Sequence, residues 1–357
     1  MDFETSDDRR MLADTLNRYL SESYPVEHRN RIAYDAPYRD AGKWAELAEL
    51  GVLLALVPEE QGGFGGAGFD VTTVFEALGR GLCPEPVLPA LMAARLLGAV
   101  GDDLGPLTTG GTAYAVAIGE LDAPYDLDGI AAEARPDGDG WRVSGRKSVV
   151  YGGQVADRFL VAARNGERLS VLEVDAAEAD VTGYGLIDGG GAAEVILDDA
   201  PAWMVLEDGA DAIRDALDWG ALALCAEAVG ALGVAFGTTL DYLKTRRQFG
   251  TPIGRFQALQ HRMVDLHTEI EQARSITILA ASRMGTDGQS RTVSMAKNLI
   301  GRTVKLVAEE TIQMHGGIGI TWEYPLSHYA KRLVMIDHQL GDTDWHLERV
   351  MAGLDAA

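Results

Sequence analysis

Residues 242–257 read Tyr-Leu-Lys-Thr-Arg-Arg-Gln-Phe-Gly-Thr-Pro-Ile-Gly-Arg-Phe-Gln, and residues 313–325 read Gln-Met-His-Gly-Gly-Ile-Gly-Ile-Thr-Trp-Glu-Tyr-Pro. The first stretch closes a helical run with an arginine pair, an aromatic and a glycine. A guanidinium there can fork onto phosphate oxygens, and a phenyl ring can cover a flat heterocycle. The second stretch ends another helix in two glycines, where backbone can approach a ligand closely. Each residue also has a plain reading: a solvated helix end for Arg246 and Arg247, core for Phe249, a C-cap for Gly316 and Gly317.

The surroundings of both stretches carry a helical period. Ala296, Ile300, Val304, Val307 and Thr311 step by 4, 4, 3 and 4, which predicts a helix buried along one stripe, and Leu259, Met263, Leu266 and Ile270 repeat the pattern. Toward the N-terminus, Met11, Leu12, Leu16 and Leu20 predict one buried helical face, and Trp44, Leu47, Leu50 and Leu53 another. Leu56–Gly68 interrupts these helices with a proline and several glycines. It lacks the strand-to-helix context and lysine of a phosphate loop, so a bent connection is expected. Between residues 109 and 206 the period changes to two. Trp141–Gly145, Lys147–Tyr151, Arg158–Ala163, Arg168–Val174 and Ala193–Asp198 read as short strands separated by turns such as Asp137–Gly140. The expected class is α+β: an N-terminal helical domain over 1–108, a middle β-barrel or sandwich over 109–206, and a C-terminal four-helix bundle over 207–357.

A chain of 357 residues exceeds one typical hydrophobic core, and 47% hydrophobic content suits well-buried domains. A formal net charge of −23 opposes binding to nucleic acid or to an anionic membrane surface. No stretch reads as a spanning helix, and Met1–Glu4 lacks the basic flank of a leader. Cys83 and Cys225 are far apart and without metal-ligand spacing, so a reduced, cytoplasmic protein without metal is expected.

The whole chain resembles the acyl-CoA dehydrogenase family. Trp44-Ala-Glu-Leu-Ala-Glu-Leu-Gly51, Val57-Pro-Glu-Glu-Gln-Gly-Gly63 and Glu76-Ala-Leu-Gly-Arg80 match its helical domain in order and spacing, and the two opening stretches match its bundle. The resemblance implies FAD as cofactor and an acyl-CoA thioester as substrate, oxidised to its 2,3-enoyl form. A carboxylate removes the α-proton while the β-hydrogen leaves as hydride to the flavin. It also implies that FAD's pyrophosphate and adenosine meet the bundle of a neighbouring subunit. Residues matching those contacts are Arg246, Gln248, Phe249, Gln257, Gln313, Gly316 and Gly317.

Other expected parts are missing. Most of the family place the catalytic glutamate before a Gly-Thr pair; keeping Gly341 in register puts Leu340 there. A minority place it at the head of the first bundle helix, where counting back from Arg246 gives Gly220, and Ala221 replaces the usual arginine. A Thr-Glu-Pro-Gly-rich segment is replaced by Ala113–Asp122, and the tryptophan and threonine that meet the flavin ring by Val149 and Tyr151. Asp342 is the foremost substitute base, with Asp218 and an Asp337–His338 pair behind it; for each, a solvated carboxylate is the plainer reading. His315 and His346 are expected in structural or surface roles.

The resemblance extends to actinobacterial heterotetramers acting on steroid side-chain CoA thioesters. There one chain supplies base and flavin pocket and its homologue supplies adenine-side contacts. The expectation is therefore an α2β2 assembly in which this chain completes a catalytic partner's FAD site, with a flavoprotein or quinone system accepting electrons. Two other readings stand beside it: a stand-alone dehydrogenase using Asp342, and a non-enzymatic scaffold of the same fold.

Overall fold

The computed structural model describes residues 6–355; the Met1–Glu4 stretch read for a leader lies outside them. Six helices come first: α1 (Asp7–Ser23), α2 (Val26–Tyr34), α3 (Ala41–Glu49), α4 (Gly68–Gly81), α5 (Val87–Gly98) and α6 (Gly105–Thr108). Ser6 caps α1 by accepting from the Arg9 N–H, and Asp40 caps α3 by accepting from Gly42 and Lys43. The face expected in α1 is narrower than read. Leu16 and Leu20 are buried, whereas Met11 is exposed because it starts the row one position off the stripe. Helix α3 ends at Glu49, so Leu50 and Leu53 lie beyond it. The Leu56–Gly68 block is a connection that contains a short 3-10 turn over Glu59–Gln61 and leads into α4.

Seven strands follow: β1 (Tyr114–Ala117), β2 (Glu133–Asp137), β3 (Gly140–Tyr151), β4 (Arg158–Asn165), β5 (Arg168–Asp175), β6 (Asp180–Gly185) and β7 (Gly191–Leu206). Strands β2, β3, β7, β5 and β4 pair in a closed ring, with β1 on β4 and β6 on β7. Closure leaves few free edges. The two runs 141–145 and 147–151 form one strand, not two. Bulges between Val143 and Gly145 and between Lys147 and Val150 absorb the irregularity that read as a break. Strand β6 was missed in the sequence because its small and polar residues (Asp-Val-Thr-Gly-Tyr-Gly) give no apolar alternation.

Helix α7 (Ala210–Thr245) leads to a hairpin of β8 (Arg247–Gln248) and β9 (Thr251–Pro252), then α8 (Gln257–Arg283), α9 (Gln289–His315), α10 (Leu326–His338) and α11 (Thr343–Asp355). By length and composition α7 is apolar enough to cross a membrane, which corrects the sequence reading; 78% of its most apolar window is buried inside the protein. The stripe Ala296–Thr311 on α9 is wholly buried, as the period predicts. The fourth bundle helix is split, α10 and α11 being separated at Gln339–Asp342. Gly220 lies ten residues into α7 and not at its head.

The chain divides into two compact units. One comprises residues up to Arg29, Gly68–Cys83 and everything from Ala221 onward. Within it α4 and α7 cross at two glycines: a Cβ on Gly79 would lie 2.0 Å from the Glu227 carbonyl oxygen, and one on Gly230 2.0 Å from that of Glu76. Any side chain at either position would force the helices apart. Arg332 on α10 grips Glu227 on α7 with two hydrogen bonds of 2.6 and 2.7 Å. The other unit, Asn30–Ala67 with Pro84–Gly220, contains the strand ring and α3, α5 and α6.

Candidate functional site

The seven residues matched to dinucleotide contacts all belong to the bundle-containing unit. Helix α7 ends at Thr245, and the backbone N–H of Arg246 still bonds the Tyr242 carbonyl at 2.8 Å. The hairpin then turns at Phe249 (φ 53°) and Gly250 (φ 80°), which puts the Phe249 ring almost wholly in solvent, 91% exposed. It meets Phe256 edge-on at 6.2 Å. The side chains of Arg246, Gln248, Gln257 and Gln313 are exposed, and none hydrogen-bonds another described residue. Arg247 differs, donating to the Gly250 carbonyl at 3.3 Å. Gly316 stops α9 with φ 66° and ψ −147°, a conformation for glycine, and its N–H caps the Ile312 carbonyl. A Cβ on Gly316 or Gly317 would meet nothing within 4 Å, so that backbone faces open space.

These two segments are tied by His315, for which a structural or surface role is expected, and by Tyr242 and Tyr324, to which the sequence reading gives no role. The Tyr242 ring stacks on His315 with centroids 4.3 Å apart and planes 25° apart, and its hydroxyl donates to the His315 carbonyl at 3.3 Å. His315 is buried, and burial lowers its pKa, so the imidazole is neutral. Its Nδ1 lies 2.8 Å from the Thr311 carbonyl and must carry the proton, which leaves Nε2 to accept from the Tyr324 hydroxyl at 3.2 Å. The available signal was the Gln-Met-His-Gly-Gly order itself, where an imidazole directly precedes the exposed glycine turn.

The loop between α10 and α11, which contains Leu340 at the position matched to the base, is held by a buried lysine. Lys297 on α9 donates to the carbonyls of Ile336 (2.7 Å), Asp337 (3.1 Å) and Gly341 (2.9 Å). Burial lowers its pKa to about 8, leaving it an ammonium at neutral pH. Leu340 sits at φ 56°, and its carbonyl accepts from Nε2 of the fully buried His346 at 3.1 Å. His346 is held neutral chiefly by burial, then by Lys297 and Arg349, its pKa pushed down to about 3. Lys297 was legible as the polar member of the series Val293, Lys297, Ile300, Val304 on an otherwise apolar face.

The substitute bases have other employment. Asp342 caps α11, its carboxylate accepting from the Trp345 N–H at 2.8 Å. Asp337 does not pair with His338; its Oδ1 accepts from the Thr343 backbone at 3.1 Å and hydroxyl at 2.8 Å. Asp218 is buried on α7.

In the strand-containing unit, Val149 lies at the β3 bulge with φ 51°, and its N–H donates to Glu194 at 3.3 Å. The same carboxylate accepts from the Ser148 hydroxyl at 2.9 Å, from Arg146 at 3.0 Å and from the Tyr184 hydroxyl at 3.4 Å. Nearby, the wholly buried Lys147 donates to Glu120 at 2.7 Å and to the Ile118 carbonyl at 3.0 Å. Glu120 also accepts from the backbone N–H groups of Ala131 and Ala132. Burial brings the Lys147 pKa down to about 8, against the pull of Glu120. The polar groups of Ile118–Glu120 and Ser148–Val149 are thus bonded within their own unit. Among the described residues no group of three potential metal ligands stands together.

In the bundle-containing unit, the exposed arginine–phenylalanine hairpin and the open glycine turn are thus joined at their roots by the Tyr242–His315 stack. Family models for the acyl-CoA dehydrogenase N-terminal and C-terminal domains match residues 6–103 and 207–354. The chain is 32% identical over 336 residues to the acyl-CoA dehydrogenase IpdE2 of Mycobacterium tuberculosis strain H37Rv, covering 91% of each. Among solved structures it resembles the ChsE4-ChsE5 complex from Mycobacterium tuberculosis (TM-score 0.91, 26% identity, 100% of each chain). It also resembles the structure described as a Tcur3481-Tcur3483 steroid ACAD G363A variant (TM-score 0.90, 29% identity, 98% of this chain and 99% of that one). The chain belongs to the acyl-CoA dehydrogenase family, whose members are oxidoreductases with FAD as cofactor.

Proposed function

We propose that this chain is the non-catalytic half of a two-chain acyl-CoA dehydrogenase: it contributes the adenine-side contacts of FAD to a homologous partner that carries the base and the flavin-ring pocket. One contrast carries the reading. The residues matching the nucleotide end are exposed, with the Arg246, Gln248, Gln257 and Gln313 side chains free of hydrogen bonds to described residues, while those matching the ring end are replaced or bonded within the chain. Arg246, Gln248, Gln257 and Gln313 offer unused donors, Phe249 offers an uncovered ring face, and Gly316 and Gly317 present open backbone. That set fits a pyrophosphate and an adenosine.

The ring end fits less well. Leu340 and Gly220 cannot accept a proton. The Val149 N–H is bound to Glu194, and Asp342 is bound to the first turn of α11. When bound, FAD supplies hydride acceptance in the desaturation of an acyl-CoA thioester. This chain's own contribution is to bind and orient the nucleotide tail.

The two-chain structure described as a steroid ACAD supports a substrate class: a CoA thioester on a steroid side chain. The assembly is α2β2 and cytoplasmic, and a flavoprotein or quinone system takes the electrons. Expression alone and with a homologue carrying a glutamate at one base position tests the reading. The expected results are a colourless chain alone and a yellow, active complex. An active yellow homo-oligomer would favour Asp342 as base, and a stable colourless chain that ignores every such homologue would favour a scaffold.

A further inference from the structure

We infer that Tyr242, His315 and Tyr324 form a joint that holds the Arg246–Phe249 hairpin and the Gly316–Gly317 turn in one fixed relation, making all three positioning residues for the nucleotide end of FAD. The inference rests on the adenine-side reading above and adds to it a mechanical element none of whose members need touch the cofactor.

The need for such a joint follows from how poorly the hairpin is anchored. Its strands are two residues each, residues 244–250 are all exposed, and its own bonds are local. Arg246 N–H reaches Tyr242, Ile253 N–H reaches the Arg246 carbonyl, Arg247 reaches Gly250, and Gln260 reaches the Gly254 carbonyl. The glycine turn is similarly exposed except at Gly319, whose missing Cβ would press on His315 at 2.9 Å. Two such segments left independent would each lose conformational freedom on gripping one ligand, and that ordering lowers affinity.

Tyr242 and His315 sit at the two segment roots. Tyr242 is one helical turn before Arg246 and accepts its N–H; His315 directly precedes Gly316. Their rings stack at 4.3 Å, the Tyr242 hydroxyl bonds the His315 carbonyl, and Tyr324 bonds Nε2 from the far end of the glycine turn. The Thr311 carbonyl fixes the imidazole tautomer from α9 itself. A shift of either root must therefore drag the other.

Amide hydrogen exchange on the full chain, and the FAD dissociation constant of the two-chain complex, test this with Tyr242→Leu, Tyr324→Phe and Arg246→Ala. Tyr242→Leu is expected to speed exchange in both 246–252 and 316–321, and to weaken FAD binding about 10-fold. Tyr324→Phe, which removes one hydroxyl and little packing, is expected to do the same more weakly, and it carries the test should Tyr242→Leu fail to fold. In an Arg246→Ala background the Tyr242→Leu effect should shrink to about 2-fold or less, because a positioning residue has nothing left to position. Faster exchange in only one segment, or full additivity with Arg246→Ala, would overturn the joint. Should Arg246→Ala alone leave FAD binding unchanged, it is the adenine-side reading that fails; should Arg246→Ala weaken binding while the tyrosine variants do not, only the joint fails.

Discussion

The ammonium of Lys297 lies 2.9 Å from the Gly341 carbonyl oxygen, and the two residues join the N-terminal third of α9 to the gap between α10 and α11. In the function proposed above this gap matches the family's catalytic glutamate, and Leu340 stands there. The loop is strongly held, by Lys297 through the Ile336, Asp337 and Gly341 carbonyls and by His346 through the Leu340 carbonyl.

Replacing Lys297 with methionine tests that hold. The variant keeps the stem but leaves three carbonyls without their donor, and should lose about 3 kcal/mol of stability, the scale of removing charge-assisted hydrogen bonds from buried acceptors. Urea unfolding of the chain measures it. A loss below about 1 kcal/mol would mean that the carbonyls find other partners.

Acid sensitivity should concentrate at His346. Its pKa falls from the ordinary 6.5 to about 3 in the folded chain, so the unfolded state takes up a proton first as pH drops. Stability from this group is fully present above pH ~6.5 and is lost as pH falls toward 3. His346→Gln retains a donor for the Leu340 carbonyl but does not titrate. Between pH 7 and pH 4 the wild type should lose roughly 2–3 kcal/mol more than this variant. Equal losses would place the histidine in a more hydrated setting.

Arg246→Ala should weaken FAD retention in the two-chain complex by roughly 1.5–3 kcal/mol while leaving the melting temperature of the chain alone, without FAD, unchanged. The thermal half of this expectation follows from its exposed side chain, which has no protein partner to lose. Flavin titration with a parallel melting curve reads both.

Asp342→Asn should leave turnover of the complex nearly intact and keep the α11 cap, since an asparagine oxygen accepts from the Trp345 N–H equally well. A fall in kcat beyond about 10²-fold would make Asp342 a base after all.

Much of this molecule was legible from residue spacing, and the reasons differ by region. Buried helical stripes such as Ala296–Thr311 declare themselves because one face is wholly apolar. Strand β6 does not, because its residues are small or polar, and the bulges of β3 do not, because they arise against β7, far along the chain. The two segments proposed to meet the nucleotide stood out through residue types with a specific chemistry at fixed spacing. Lys297, Glu194 and the Tyr242–His315–Tyr324 cluster are defined by contacts between segments apart in the chain; Lys297 left a trace as a charge on an apolar stripe and His315 as the imidazole before the glycine pair. The break between α10 and α11 was hidden for a related reason: it is held by a side chain some forty residues away.

Flavin content per polypeptide decides the division of labour most directly. Purified by itself, the chain should retain no FAD and desaturate no acyl-CoA; purified with its partner, the complex should hold one FAD for every pair of chains. Stoichiometric FAD with thioester desaturation by this chain alone would contradict the account.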